Sequence, residues 1–220
     1  MADPPEPTES AVLVPVPEAE RVVSRHRARL DAAAGLGVPA HVTVLFPFVP
    51  PSEIAAATLE SLAAAVASVD AFDCEFPDTA WFGSDVLWLA PRPDEPFRTL
   101  TRVVTAAFPG YRPYGGGFDD VVPHLTVGDR PPGGAADLRA AEAGVLPLLP
   151  VAARVSRVWL MTGGAAPGSW RTVAEFPLQP EMSDSSAGRR PEPLYRRRLI
   201  RTCLLRQPAA SRSWWIRAWR

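Results

Sequence analysis

Two of the three histidines in this 220-residue chain open the same four-residue pattern, His41-Val42-Thr43-Val44 and His124-Leu125-Thr126-Val127. In an extended strand residues i and i+2 face the same side. Each copy therefore offers an imidazole and a hydroxyl on one face and two apolar side chains on the other. If the two strands lie near each other, one cleft holds two imidazoles and two hydroxyls, a set suited to cleaving a phosphodiester. One neutral imidazole takes a proton from the attacking water or hydroxyl. The other, as imidazolium, protonates the leaving oxygen, and each transfer is worth on the order of 10²–10⁴ in rate. An ordinary histidine pKa near about 6.5 lets both protonation states exist close to neutral pH. Thr43 and Thr126 would orient and stabilise the non-bridging phosphate oxygens. The scheme requires neither metal nor cofactor, and the sequence suggests none. The third histidine, His26, stands between Arg25 and Arg27, lacks the pattern and reads as a solvated surface residue.

Strands must carry both motifs. An apolar run over 11–16 suits a buried strand, and a helix over 18–34 follows, stopped by Gly35 and Gly37. A strand over 41–46 bears the first motif and ends at Pro47. Ser52 is placed to N-cap a helix reaching Val69. Residues 71–77 alternate Phe72, Cys74 and Phe76 with Asp73 and Glu75, the pattern of a half-buried strand. Shorter strands over 79–82 and 86–90, a helix over 95–108 and a Gly/Pro/aromatic loop over 109–118 come next. A strand over 121–127 bears the second motif. A helix over 135–146 and strands over 151–162 and 170–178 complete the order. This succession predicts an α+β fold with an internal pseudo-two-fold, each half supplying one His-x-Thr strand. Residues 1–9 read as a disordered leader, 10–178 as the domain, and 179–220 as an Arg-rich disordered extension.

Charge is unevenly spread. Residues 1–188 hold 13 Arg against 23 acids, whereas 189–220 hold 10 Arg against Glu192 alone, and there is no Lys. An acidic body does not advertise a grip on long nucleic acid. Cys74 and Cys203 form no metal-ligand or redox spacing. No basic segment followed by an apolar run opens the chain, and no apolar stretch approaches a membrane span. A cytoplasmic monomer with no membrane partner is the expectation.

Several further residues are weighed for substrate contacts. Tyr111, Arg112, Tyr114 and Phe118 lie in the loop before the second motif, where an aromatic ring could stack on a base; a packed surface loop is the other reading. Tyr114 is retained as a substrate-binding candidate, and so is Arg130, four residues past Thr126. Phe46 and Phe48 could likewise stack on a ligand, but core filling is the favoured reading. Asp119-Asp120 lack the second nearby His or Cys that a metal site needs. Gly115-Gly116-Gly117 has no following Lys-Ser/Thr, which speaks against an ATP-dependent ligase.

The two tetrapeptides, 83 residues apart, resemble the paired motifs of the 2H phosphoesterase superfamily, in particular the 2′-5′ RNA ligase-like proteins. The resemblance implies two similar α+β lobes, small antiparallel sheets with flanking helices, around a central cleft. It also implies that His41 and His124 are the acid and base and that Thr43 and Thr126 contact phosphate. The implied reaction is metal-independent, on a 2′,3′-cyclic phosphate or a 2′-5′ linkage of a nucleotide or short RNA. The chain departs from the family after each motif, at Phe46-Pro47-Phe48 and Gly128-Asp129-Arg130, which bears on substrate identity. The alternative is a non-catalytic nucleotide- or RNA-binding module with the same cleft.

Overall fold

Apolar and β-branched runs punctuated by Pro and Gly become eight strands and five α-helices among the described residues, 6–117 and 121–180 of a computed structural model. In chain order these are β1 (Glu9–Pro15), α1 (Pro17–Leu30), α2 (Ala32–Gly35), β2 (His41–Leu45), α3 (Ala56–Val66), β3 (Phe72–Phe82) and β4 (Val86–Arg92). After them come α4 (Glu95–Ala107), β5 (Leu125–Asp129), α5 (Gly134–Val145), β6 (Val151–Val155), β7 (Arg157–Gly163) and β8 (Arg171–Pro177). The expectations for 1–5, for Phe118 and Asp119-Asp120, and for the Arg-rich extension over 181–220 fall outside the described residues.

The strands form one antiparallel sheet in the order β6-β3-β4-β5-β2-β1-β7-β8. Two four-stranded halves meet where β2 pairs with β5 through Val42 and Leu125. β6, at one end of this order, passes into β7 near the other end through the single residue Ser156. One residue advances the chain by only about 3.8 Å, so the sheet must curl until its ends approach. Backbone bonds cross that seam: Leu178 N–H donates to Ser156 O and Ala71 N–H to Gln179 O, at 3.0 and 2.8 Å.

Helices tie the halves together crosswise. α1, which follows β1, packs on β5, β6 and α5, while α4, which follows β4, packs on β2, with α3 against α4 and β8. Their apolar faces meet Val12, Val14, Val42, Val44, Leu87, Leu89, Leu125 and Val127 in one continuous core. Full burial of each such side chain is worth roughly 1.5–3 kcal/mol, so both motifs are anchored by their second and fourth residues. On the other side of the sheet a smaller cluster of Ala11, Leu13, Ala33, Val38, Phe46, Met161 and Trp170 forms an apolar wall. A Cβ at Gly163 would collide with the Trp170 ring, so only glycine lets that indole close the wall.

The elements differ from the sequence reading at identifiable places. The helix predicted over 18–34 breaks at Asp31, whose extended backbone (φ −131°, ψ 111°) separates α1 from α2 and whose carboxylate accepts from Ala33 N–H at 3.0 Å. Residues 71–77 and 79–82 are one strand, β3, with a register irregularity between Glu75 and Asp78. The strand predicted over 151–162 is two strands, divided at Ser156 and paired in opposite halves. Ser52 lies in a 3₁₀ turn, Pro51–Glu53, and α3 starts after Ala55. The first strand begins at Glu9, and Thr8 N–H already donates to Gly163 O. His26 is half-buried, its ring over Gly144 of α5.

Candidate functional site

The pairing of Val42 with Leu125 decides the geometry of the site. In an antiparallel register the residues on either side pair crosswise, so His41 lies opposite Thr126 and Thr43 opposite His124. Directly opposed Cβ atoms are roughly 4.5–5.5 Å apart. Val42 and Leu125 are buried on the helix side, and the four polar residues therefore share the other face. They line one pocket, with Leu13, Val38, Phe46 and Trp170 as its apolar wall and with Tyr114, Asp31 and Asp129 at its ends. Its volume of about 60 Å³ is several times the roughly 10–15 Å³ that one water needs, which leaves room for a phosphate group.

Both imidazoles are held in the same way. His41 Nδ1 is 2.7 Å from Pro39 O, and His124 Nδ1 is 2.7 Å from Val122 O. A carbonyl oxygen only accepts, so in each ring Nδ1 carries the proton and donates. The neutral ring then keeps its lone pair on Nε2, the nitrogen left for the pocket. His124 is further clamped edge-on by Phe82 (centroids 5.0 Å, 89°) and by Trp88 (5.8 Å, 63°). Trp88 is the cross-strand partner of Thr126 and so stands on the same face.

Burial depresses the charged form of both rings. His41 is brought down to about 3, first by desolvation, then by the nearby Arg27 guanidinium and by the charge that His124 can carry, against the hydrogen bond to Pro39. His124 is lowered by desolvation, against its bond to Val122. Arg27 is itself buried: its Nε donates to Asp31 Oδ2 at 2.9 Å and its Nη2 to Val38 O at 3.1 Å. The unliganded pocket at neutral pH therefore contains two uncharged bases.

Tyr114 reaches the pocket as the sequence suggested. Its hydroxyl is hydrogen-bonded to the Thr43 side chain, and burial pushes its pKa up. Its N–H donates to Phe46 O at 2.7 Å, and its backbone is left-handed at φ 53°. That conformation costs a non-glycine residue on the order of 1–2 kcal/mol, which is the strain of turning the ring inward. Arg130 is not part of the pocket wall. Its backbone is left-handed (φ 43°), its N–H donates to Asp85 O, and its Nε pairs with Asp129 Oδ1 at 3.6 Å. Phe48 and Tyr111 pack together, with Phe48 edge-on to Phe108. Among the described residues no group of three or more His, Cys, Asp or Glu is arranged to hold a metal ion, and no helix is long and apolar enough to cross a membrane.

Asp31 and Asp129 are the acidic pocket residues that sequence reasoning missed, and Asp129 is the less expected. Three places after Thr126 it should face the helices. However, Trp88 pairs with Thr126 while Leu87 pairs with Gly128, so Val127 is an extra residue in β5. This bulge turns both Val127 and Gly128 toward the core and returns Asp129 to the pocket face. A Cβ at Gly128 would sit 2.6 Å from Leu138 Cδ2 and 2.9 Å from Leu30 Cβ. The glycine was the available signal.

Comparison with solved structures finds the same fold elsewhere. Apo LigT of E. coli superposes with a TM-score of 0.51 at 18% identity, over 80% of this chain and 99% of that one. LigT complexed with NADP+ gives 0.50 at 19% identity, over the same shares. TT0787 of Thermus thermophilus gives 0.50 at 16% identity, over 79% of this chain and 99% of its own. No curated protein matches the sequence. The family model described as the 2′-5′ RNA ligase superfamily matches residues 14–166, a span that runs from the strand beside the first motif to beyond the second. On that match, together with the shared fold, the chain belongs to the 2′-5′ RNA ligase superfamily.

Proposed function

We propose that the protein is a metal-independent phosphoesterase that opens a 2′,3′-cyclic phosphate or cleaves a 2′-5′ phosphodiester of a nucleotide or short RNA. The observation that carries this reading is the crosswise placement of His41 opposite Thr126 and Thr43 opposite His124, which follows from the Val42–Leu125 pair. A phosphate between them meets a base, an acid and two hydroxyls at once. Water loses a proton to one Nε2 as its oxygen bonds to phosphorus. The bond from phosphorus to the leaving oxygen breaks, and that oxygen takes the proton carried by the other Nε2. The roles exchange in the reverse direction.

The depressed histidine pKa values fit this chemistry once the ligand's charge is included. An anionic phosphate beside the rings favours an imidazolium, so the substrate itself brings the acid into its working form. The nucleoside attached to that phosphate would meet the aromatic part of the pocket lining, Tyr114, Phe46 and Trp170. A nucleotide ligand in LigT, complexed with NADP+, is consistent with that class of substrate.

The test is an assay of the full chain on 2′,3′-cyclic nucleotides and 2′-5′ linked dinucleotides with EDTA present, beside His41→Ala and His124→Ala. Turnover is expected in the parent and lost in both variants. Turnover that survives both substitutions sinks the mechanism, and turnover abolished by chelation points to a metal. Tight binding with no turnover across the panel makes the protein a nucleotide- or RNA-binding module.

A further inference from the structure

The pocket is electrostatically unusual for a phosphate site. Among the described residues no Arg lines it; the nearby Arg27 is committed to Asp31 and Val38. The two histidines are neutral when the pocket is empty. Asp31 is satisfied by Arg27 and by Ala33 N–H. Asp129 is not: its Oδ1 is buried with no hydrogen bond, and Arg130 Nε stays 3.6 Å away. The bulge at Val127 exists in a strand whose regular continuation would have buried a carboxylate against the helices. Instead it places that carboxylate in the lining of the pocket.

Such a pocket counts charge. A phosphodiester carries one negative charge at any ordinary pH, whereas a phosphomonoester gains a second above about pH 6. One negative charge can be met by one imidazolium. The second faces Asp129, whose charge the Arg130 guanidinium, 3.6 Å from Oδ1 and not hydrogen-bonded to it, offsets only in part. We infer that Asp129 sets a charge ceiling on the pocket, admitting a monoanionic phosphodiester and expelling the dianionic phosphomonoester that its hydrolysis yields. This rests on the reading of the pocket as a phosphate site and names what selects its ligand.

The ceiling itself depends on pH. Burial, with Asp31 and Asp85 nearby, pushes the Asp129 carboxyl up to about 6 against the opposing pull of Arg130. His41 and His124 are the other titratable groups of the pocket that matter near neutral pH. At pH 8 Asp129 is ionised and a monoester is dianionic; at pH 5 the first is neutral and the second a monoanion, so the discrimination disappears.

The experiment titrates the full-length protein by calorimetry with a nucleoside 3′-monophosphate and with its 3′-methyl diester, which differ by one methyl group and one charge. At pH 8, Asp129→Asn should tighten the monophosphate about 10-fold, the factor that corresponds to about one pKa unit of interaction, and the methyl diester by no more than about 3-fold. Asp129→Ser, smaller and also uncharged, should behave the same way. At pH 5 parent and variants should bind the monophosphate alike. Equal tightening of both ligands at pH 8, or tightening of neither while binding persists, overturns the charge ceiling and leaves the phosphate site standing. Absence of binding by either ligand to the parent and both variants overturns the phosphate site and the ceiling together.

Discussion

Val42 and Leu125 face each other across the seam between β2 and β5, and this one pair carries two tasks. Its side chains close the core on the helix side, where they are 1% and 0% exposed. Its register puts four neighbouring polar side chains together on the opposite side. The geometry of the pocket and the packing of the core are thus two faces of one strand pairing, and a slip of one residue would reverse both.

The two histidines should act as a unit. His41→Ala and His124→Ala should each lower turnover by about 10²–10⁴, and the double variant should be little worse than the weaker single one. Steady-state rates of the three variants check this; losses that multiply would show that the rings work independently.

Stability should fall in mild acid because of His41. Its pKa is about 3 in the folded protein and about 6.5 unfolded. Between these values the unfolded chain binds more protons, so stability drops as pH falls, by up to about 1.4 kcal/mol per pH unit. Asp129, raised to about 6, contributes with the opposite sign. The difference between the parent and His41→Gln isolates the histidine, because Asp129 is common to both. Urea midpoints at pH 7 and pH 4.5 should fall less in the variant.

Phosphate binding should take up protons. Both rings are uncharged in the empty pocket and an anion favours one imidazolium, so a diester bound at pH 7 should draw close to one proton from the buffer. Calorimetry in buffers of different ionisation enthalpy reads the number directly. An uptake of zero would mean that the bound state keeps both histidines neutral.

The Arg27–Asp31 ion pair is buried at the break between α1 and α2. Asp31→Ala strands the guanidinium and removes the acceptor of Ala33 N–H, so it should cost about 3–5 kcal/mol. The pair Arg27→Met with Asp31→Leu should cost less than that single change, a comparison that denaturant melts settle.

Gly128→Ala should destabilise by about 1–3 kcal/mol through overpacking, because the new methyl meets Leu138 and Leu30 at 2.6 and 2.9 Å. Relief of that clash shifts β5 and the bulge with it. A thermal melt and the Kd for a nucleoside 3′-monophosphate should therefore change together.

How much of this was legible beforehand follows from the range over which each cause acts. The periodicity of His-x-Thr, the apolar partners within each motif and the Pro and Gly stops are local, and they led correctly to strands, to an α+β class and to the superfamily. Tyr114 could be picked out because an aromatic ring in a glycine-rich loop is a local signal. Ser156 could not be recognised as a break, since no Gly or Pro interrupts residues 151–162 and only their pairing partners separate β6 from β7.

What the sequence determined alone was therefore the inventory: two imidazole-hydroxyl pairs, each on one face of a strand whose other face must be buried. Alternation in a strand makes that outcome independent of the rest of the chain. Tertiary structure decided which groups share a pocket. The antiparallel register at Val42 and Leu125 crosses the motifs, Arg27 comes from a helix to lower His41, and one extra residue at Val127 turns Asp129 inward and leaves Arg130 outside. Each of these depends on contacts between segments far apart in the chain, where the alignment of two strands, rather than the identity of any residue, sets what stands beside what.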